Sequence, residues 1–159
     1  MSRNGMKLAE SYDNKLLSFP NQQEAEKTLL ALKDEFIARI LSLSNNASIF
    51  KADFTPDSLK HLEKWFFELY ENNLFGNIGT SQSEFETCMA IYFGNVAVEN
   101  KKAKWVVEKY FLDNDKYTIG IRRDEHFSQT LGGYRGLPLR KNNKKRESIF
   151  REYKRFYDD

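Results

Sequence analysis

The chain has 159 residues, of which 40% are hydrophobic and 30% charged, with a net charge of +2. That is enough for one domain with its own apolar core, and too balanced for a collagen-like or disordered chain. One cysteine, Cys88, excludes an internal disulfide and every all-cysteine metal site.

The first twenty residues hold no apolar run longer than Leu16-Leu17. A secretory leader needs roughly 7–15 apolar residues and a membrane span roughly 20, so neither is expected. The expectation is a cytoplasmic protein with a poorly ordered polar segment over 1–18 and a single domain over 19–159.

Asn21 with Glu24 three residues on forms a capping pair for the first helix. Ala25, Leu29, Leu32, Phe36, Ile40 and Leu43 then recur at spacings of 4 and 3, one apolar stripe that Ser44-Asn45-Asn46 ends. Residues 49–54 read as a short extended segment. Thr55-Pro56-Asp57 starts a second helix with a capping hydroxyl, a proline and an acid. Its buried stripe is Leu59, Leu62, Phe66, Leu69 and Tyr70, with Lys60, Glu63, Lys64, Glu68 and Glu71 outside.

Ser81 or Ser83 caps a third helix with Phe85, Cys88, Met89, Tyr92 and Val96 on one face. Ile91 and Val98 lie near another face, so this helix is covered on more than one side. Gly94 marks either a close approach of another element or a helix end followed by an extended Val96-Ala97-Val98. Strands follow over 105–111, 117–122 and 127–131, joined by the turns 112–116 and Asp124-Glu125. A glycine-rich loop, 132–138, precedes a last helix over about 142–157 that docks through Ile149, Phe150, Tyr153, Phe156 and Tyr157. The fold class is therefore α+β: three main N-terminal helices, a small antiparallel meander of three or four strands, and a C-terminal helix packed across. Phe36, Leu62, Phe66, Phe85, Tyr92, Trp105, Ile119 and Phe150 form its expected core.

Signatures of chemistry are sparse. The two histidines, His61 and His126, are far apart in sequence and neither neighbours Cys88, so no metal or cofactor is expected. Glu84 and Glu86 stand two apart on a helix and point about 200° away from each other. Asp113 and Asp115 sit in a turn, where Asx residues serve the backbone. No nucleophile elbow or phosphate-binding glycine motif is present. The loop 132–136 has backbone amides that can cradle an anion, but reads more simply as a turn.

Charge is unevenly spread. Residues 135–157 hold nine Lys or Arg against Glu147 and Glu152, while the rest carries 16 basic and 21 acidic residues. Arg135, Arg140, Lys141, Lys144, Lys145 and Arg146 are the candidate surface for an anion or a partner.

At residues 92–108, YFGNVAVENKKAKWVVE, the chain resembles small bacterial domains of uncharacterised function, including proposed immunity proteins of toxin systems. Tyr92-Phe93-Gly94, Ala103-Lys104-Trp105 and the closing run from Ser148 to Arg155 carry the likeness. The resemblance implies a bacterial accessory or toxin-neutralising protein and assigns no residue a role. With the separated charge and the absence of convergent polar groups, it leads to a non-catalytic protein-binding module whose partner is another protein, and an immunity-type inhibitor is its specific form. The alternative is a nucleic-acid-associated protein using the basic 135–155 segment.

Overall fold

The Asn21 side chain accepts a hydrogen bond from the Glu24 amide at 2.9 Å and opens helix α1, Gln22–Leu43. The computed structural model describes residues 17–110, 115–130 and 147–157. Ala25, Leu29, Leu32, Phe36, Ile40 and Leu43 are buried along α1, the stripe that the spacing predicts. Ser44–Asn46 winds into a single 3₁₀ turn and ends it.

Residues 49–54 correct the sequence reading, because they pair with no strand. Their aromatics anchor an irregular segment instead. Phe50 stacks on Trp65 with centroids 5.5 Å apart, and Phe54 stacks on Tyr92 at 4.9 Å. Side chains satisfy the backbone there: Phe54 N–H donates to Tyr92 Oη at 3.0 Å, and Asn100 Nδ2 donates to the Phe54 carbonyl at 2.7 Å. Phe54 sits at φ +58°, a left-handed conformation that a bulky residue holds only when its surroundings fix it.

Helix α2, Ser58–Glu71, begins later than Thr55-Pro56-Asp57 suggests. Thr55 Oγ1 still accepts from Ser58 N at 3.3 Å, but the first turn closes by i→i−3 bonds and winds tighter than an α-helix. Two faces of α2 also differ from expectation. Tyr70 is 40% exposed, whereas Glu63 is only 3% exposed.

Ser81 caps α3, Gln82–Asn100, by accepting from Glu84 N at 3.1 Å. The helix runs unbroken through Gly94, so Val96, Ala97 and Val98 are helical and the extended alternative falls. A Cβ on Gly94 would stand 2.5 Å from Trp105 Cη2 and 3.1 Å from Thr130 Cγ2. Glycine is there because the sheet approaches the helix closely.

Strands β2 (Lys104–Lys109), β3 (Lys116–Arg123) and β4 (His126–Gln129) form the antiparallel meander. A fourth strand, β1 (Leu17–Ser18), comes from the end of the polar segment 1–18. It pairs antiparallel with Tyr117 and Lys116 of β3, on the edge that β4 takes over from Gly120 onward. Between them Thr130 N and Oγ1 both donate to Ile119 O at 3.2 Å, filling the gap. On the far side of the sheet Gln22 Nε2 donates to Val107 O at 2.7 Å, covering part of the β2 edge.

Helix α4, Ser148–Tyr157, packs against α2 and α3 more than across the sheet. The predicted residues 142–146 of this helix lie outside the described residues, as does Leu131. Of the expected core, Phe36, Leu62, Phe66, Phe85, Tyr92 and Ile119 are buried. Trp105 and Phe150 are partly buried and pack against it. The class is α+β, with helices on a four-stranded antiparallel sheet.

Gly94→Ala pits helix propensity against this close approach. Alanine gains about 1 kcal/mol in a helix interior. Overpacking against Trp105 costs about 1–3 kcal/mol. The expected outcome is a lower urea midpoint with a shift in tryptophan emission, and an unchanged midpoint would show that the indole has room to move.

Candidate functional site

The six candidate cations Arg135, Arg140, Lys141, Lys144, Lys145 and Arg146 lie outside the described residues, as does the loop 132–136. The structure therefore brings together a different set. Helix α2 turns Lys60, His61, Lys64, Glu68 and Glu71 toward one open groove of about 680 Å³. Phe67 lines it, and Glu147, just ahead of α4, joins its rim. Along α2 the rim carries Lys60 and Lys64 toward its N-terminus, with Glu147 beside Lys60, and Glu68 and Glu71 toward its C-terminus. Lys60 Nζ lies 3.4 Å from Asp57 Oδ1, 4.0 Å from Glu147 Oε2 and 4.4 Å from the Phe150 ring centroid.

Glu63 also lines the groove and holds its second wall in place. Its Oε1 accepts from Ser148 Oγ at 2.6 Å and Ile149 N at 3.0 Å, while Oε2 accepts from Ser148 N at 3.1 Å. A carboxylate of α2 thus caps the positive end of α4, satisfying amides that a helix start leaves without partners. A ten-residue helix is too short to persist in isolation, so this cap and the burial of Ile149 and Tyr153 make it a helix. Sequence reasoning placed Glu63 outside. The signal was present, since Glu63 is four residues after Leu59 and three before Phe66, within the apolar stripe.

The other buried ionisable groups are committed to the fold. Glu84 Oε1 accepts from Arg39 Nε at 3.2 Å and Thr80 Oγ1 at 2.5 Å, and Arg39 also donates to the Gly79 carbonyl. Gln82 Nε2 holds Glu86 Oε2 at 3.1 Å. Glu84 and Glu86 therefore have separate partners, as their spacing demands. Cys88 is buried, and burial, with the Glu84 charge adding, pushes its thiol far above its ordinary range. It is an inert core residue. Tyr92 Oη lies 2.6 Å from Ser58 Oγ, and burial raises its ionisation above the usual tyrosine value despite those hydrogen bonds. His61 and His126 are both exposed, on α2 and at the start of β4.

The sequence profile of a family described as "Uncharacterised protein YwmA" matches residues 18–157, from β1 to the end of α4. The chain belongs to the YwmA family. The protein YwmA of Bacillus subtilis (strain 168), itself described as uncharacterized, is 31% identical over 88 residues, which is 55% of this chain and 56% of that protein. The match thus spans about half the length of the curated relative. No solved structure matches the chain. Membership of YwmA agrees with the small bacterial domain to which Tyr92-Phe93-Gly94 and Ala103-Lys104-Trp105 point. Among the described residues no helix is long and apolar enough to cross a membrane.

Two outcomes follow from these buried groups. Glu63→Ala leaves the Ser148 and Ile149 amides without their acceptor and should lower stability by about 2–3 kcal/mol, read from urea unfolding, with α4 amides exchanging faster. Tyr92 holds its proton more tightly when folded than when unfolded, so its contribution to stability is full below the ordinary tyrosine value and is lost as pH rises through the folded one. Tyr92→Phe should therefore be less stable at neutral pH by about 1–2 kcal/mol, for two lost hydrogen bonds. It should also show a shallower alkaline fall in melting temperature.

Proposed function

We propose that the protein is a non-catalytic, cytoplasmic protein-binding module that engages its partner at the α2–α4 groove. The observation that carries this reading is the groove itself: three helical turns of α2 present Lys60, Lys64, Glu68 and Glu71 around Phe67, with Glu147 on the rim beside Lys60. Protein interfaces combine an aromatic centre with a polar rim of complementary charge. Small-molecule sites are more enclosed and more uniformly apolar. Glu68, Glu71 and Glu147 would repel a phosphate backbone at this groove. The buried groups Glu63, Glu84, Tyr92 and Cys88 serve structure, which supports binding over catalysis. An immunity-type inhibitor is the specific form we favour, because such proteins act by occupying another protein's surface. Lys144, Lys145 and Arg146 directly precede Glu147 in sequence.

A second reading rests on a separate observation. Lys101 Nζ lies 5.9 Å from the Tyr153 ring centroid, and burial pushes the Tyr153 hydroxyl above the usual tyrosine value while the Arg123 charge opposes it. Positive charge from the α3–β2 turn and from β3 thus acts at Tyr153 of α4, and this supports association with nucleic acid as the second reading.

The deciding experiment captures partners from nuclease-treated bacterial lysate on the immobilised full chain. The variant with Lys64→Glu and Glu68→Lys keeps net charge and exposes the same surface, so its melting temperature should match wild type while capture falls at least about tenfold. Equal capture by both proteins would overturn the groove reading. Anisotropy with a single-stranded oligonucleotide tests the second reading. Affinity falling steeply with salt, and lost on charge reversal at Lys144, Lys145 and Arg146, would establish it.

A further inference from the structure

We infer that two copies of this chain associate through the open edge of β2, pairing their β2 strands antiparallel into one continuous sheet. Strand β2 pairs with β3 and with no other strand among the described residues. Tyr110 N–H, just past its end, donates to Lys116 O at 2.8 Å, so the even-numbered Lys104, Val106 and Glu108 bond to β3. The main-chain N–H and C=O groups of Trp105 and Val107 therefore point the other way. Among the described residues they meet one hydrogen-bond partner, Gln22 Nε2 at Val107 O.

Set against itself about a two-fold axis at Val106, this strand is self-complementary. Trp105 and Val107 then face Val107 and Trp105 of the second copy as hydrogen-bonded pairs, about four main-chain bonds in all. The Val107 carbonyl keeps a lone pair for its new bond beside Gln22. On the sheet face away from the helices, Val106 meets Val106 of the second copy, and Lys104 meets its Glu108. A slip of two residues in either direction sets Val106 against Lys104 or Glu108. A slip of one turns the side chains to opposite faces. The charges thus select one register.

Helix α1 carries a second, independent sign on the same side. Gln22 and Lys33 mark the flank that turns to β2, since Lys33 Nζ lies 5.6 Å from the Trp105 ring centroid. At about 100° per residue, Leu30, Ile37 and Leu41 stand roughly 40–80° further round, away from Arg39 and α3. Leu41 is 40% exposed, and Leu30 and Ile37 are half-buried. An apolar stripe therefore lies along the open strand edge. The two-fold axis at Val106 sets the second copy's α1 on the same face of the joined sheet, where its stripe covers this one. A strand from an unrelated protein would match the edge but not both features at once. This contact is separate from the α2–α4 groove and stands whether or not that groove binds a partner.

Sedimentation equilibrium of the full chain should give the mass of two copies at about 100 μM, with dissociation on dilution. Lys104→Glu and Glu108→Lys should each sediment as monomers, and their equimolar mixture should regain the dimer, because each offers the charge the other lacks. Should Glu108→Lys fail to fold beside Arg122, Leu41→Glu at its exposed site should weaken association at least about tenfold. Hydrogen exchange locates the contact: the Trp105 and Val107 amides should lose about tenfold or more of their protection on dilution, while those of Val106 and Glu108 keep theirs. A monomer at about 100 μM would overturn the inference, as would a dimer indifferent to all these substitutions or to the exchange of Trp105 and Val107. Protection of those two amides in a monomeric chain by an added lysate would assign the edge to another protein's strand, and equally overturn it.

Discussion

Everything in this fold depends on the burial of α3 on almost every side. Thirteen of its 19 residues are buried, including Glu84, Glu86 and Thr87 near its start. A helix enclosed in this way cannot keep its polar groups wet, so each must find a partner in the protein. Glu86 and Thr87 find theirs within α3, at Gln82 and the Ser83 carbonyl, and the others reach different neighbours. Glu84 ties α3 to Arg39 of α1, Tyr92 ties it to Ser58 of α2 and the Phe54 amide, and Asn95 accepts from the Trp105 indole of β2 at 3.3 Å. Asn100 fastens its last turn to Phe54. The apolar surface supplies the driving force, and these polar ties select one arrangement of the surrounding elements.

The N-terminal half of the fold was legible because its signals are local. Asn21 and Ser81 cap the helices they precede, and the α1 stripe is buried residue for residue. Errors arose where distant residues decide. Phe50 and Phe54 have strand-like chemistry, but the nearby aromatic surface of Trp65 and Tyr92 absorbs them first. Gly94 left two readings open because only the position of Trp105, eleven residues on, tells a close approach from a helix end. Glu63 was misplaced because its partner is 85 residues away in sequence. Of the candidate site, the six cations were named from composition, whereas the groove needs the meeting of α2 with residue 147, which no spacing rule reveals.

The α2–α4 junction differs in kind from the rest of the molecule. Most helices here carry their own start signals, but α4 borrows one from another element. Its docking surface is small, with Ile149 and Tyr153 buried and Phe150 partly so. A short helix held by one carboxylate and few apolar contacts belongs to the low-stability end of a structure, where binding and regulation are commonly found. The open groove beside it has the same owner, since Glu63 faces both.

The pairing of Leu17 and Ser18 with Tyr117 and Lys116 has a consequence for synthesis on the ribosome. These contacts span about two-thirds of the chain, so β1 cannot join the sheet until β3 has emerged. Long-range strand pairing is also slow, because the connecting chain must first be closed. Throughout that interval the apolar stripe of α1 is made but lacks β2 and β3 to cover it. A part of the protein translated early is thus locked late, which makes the nascent N-terminal half a natural client for chaperones.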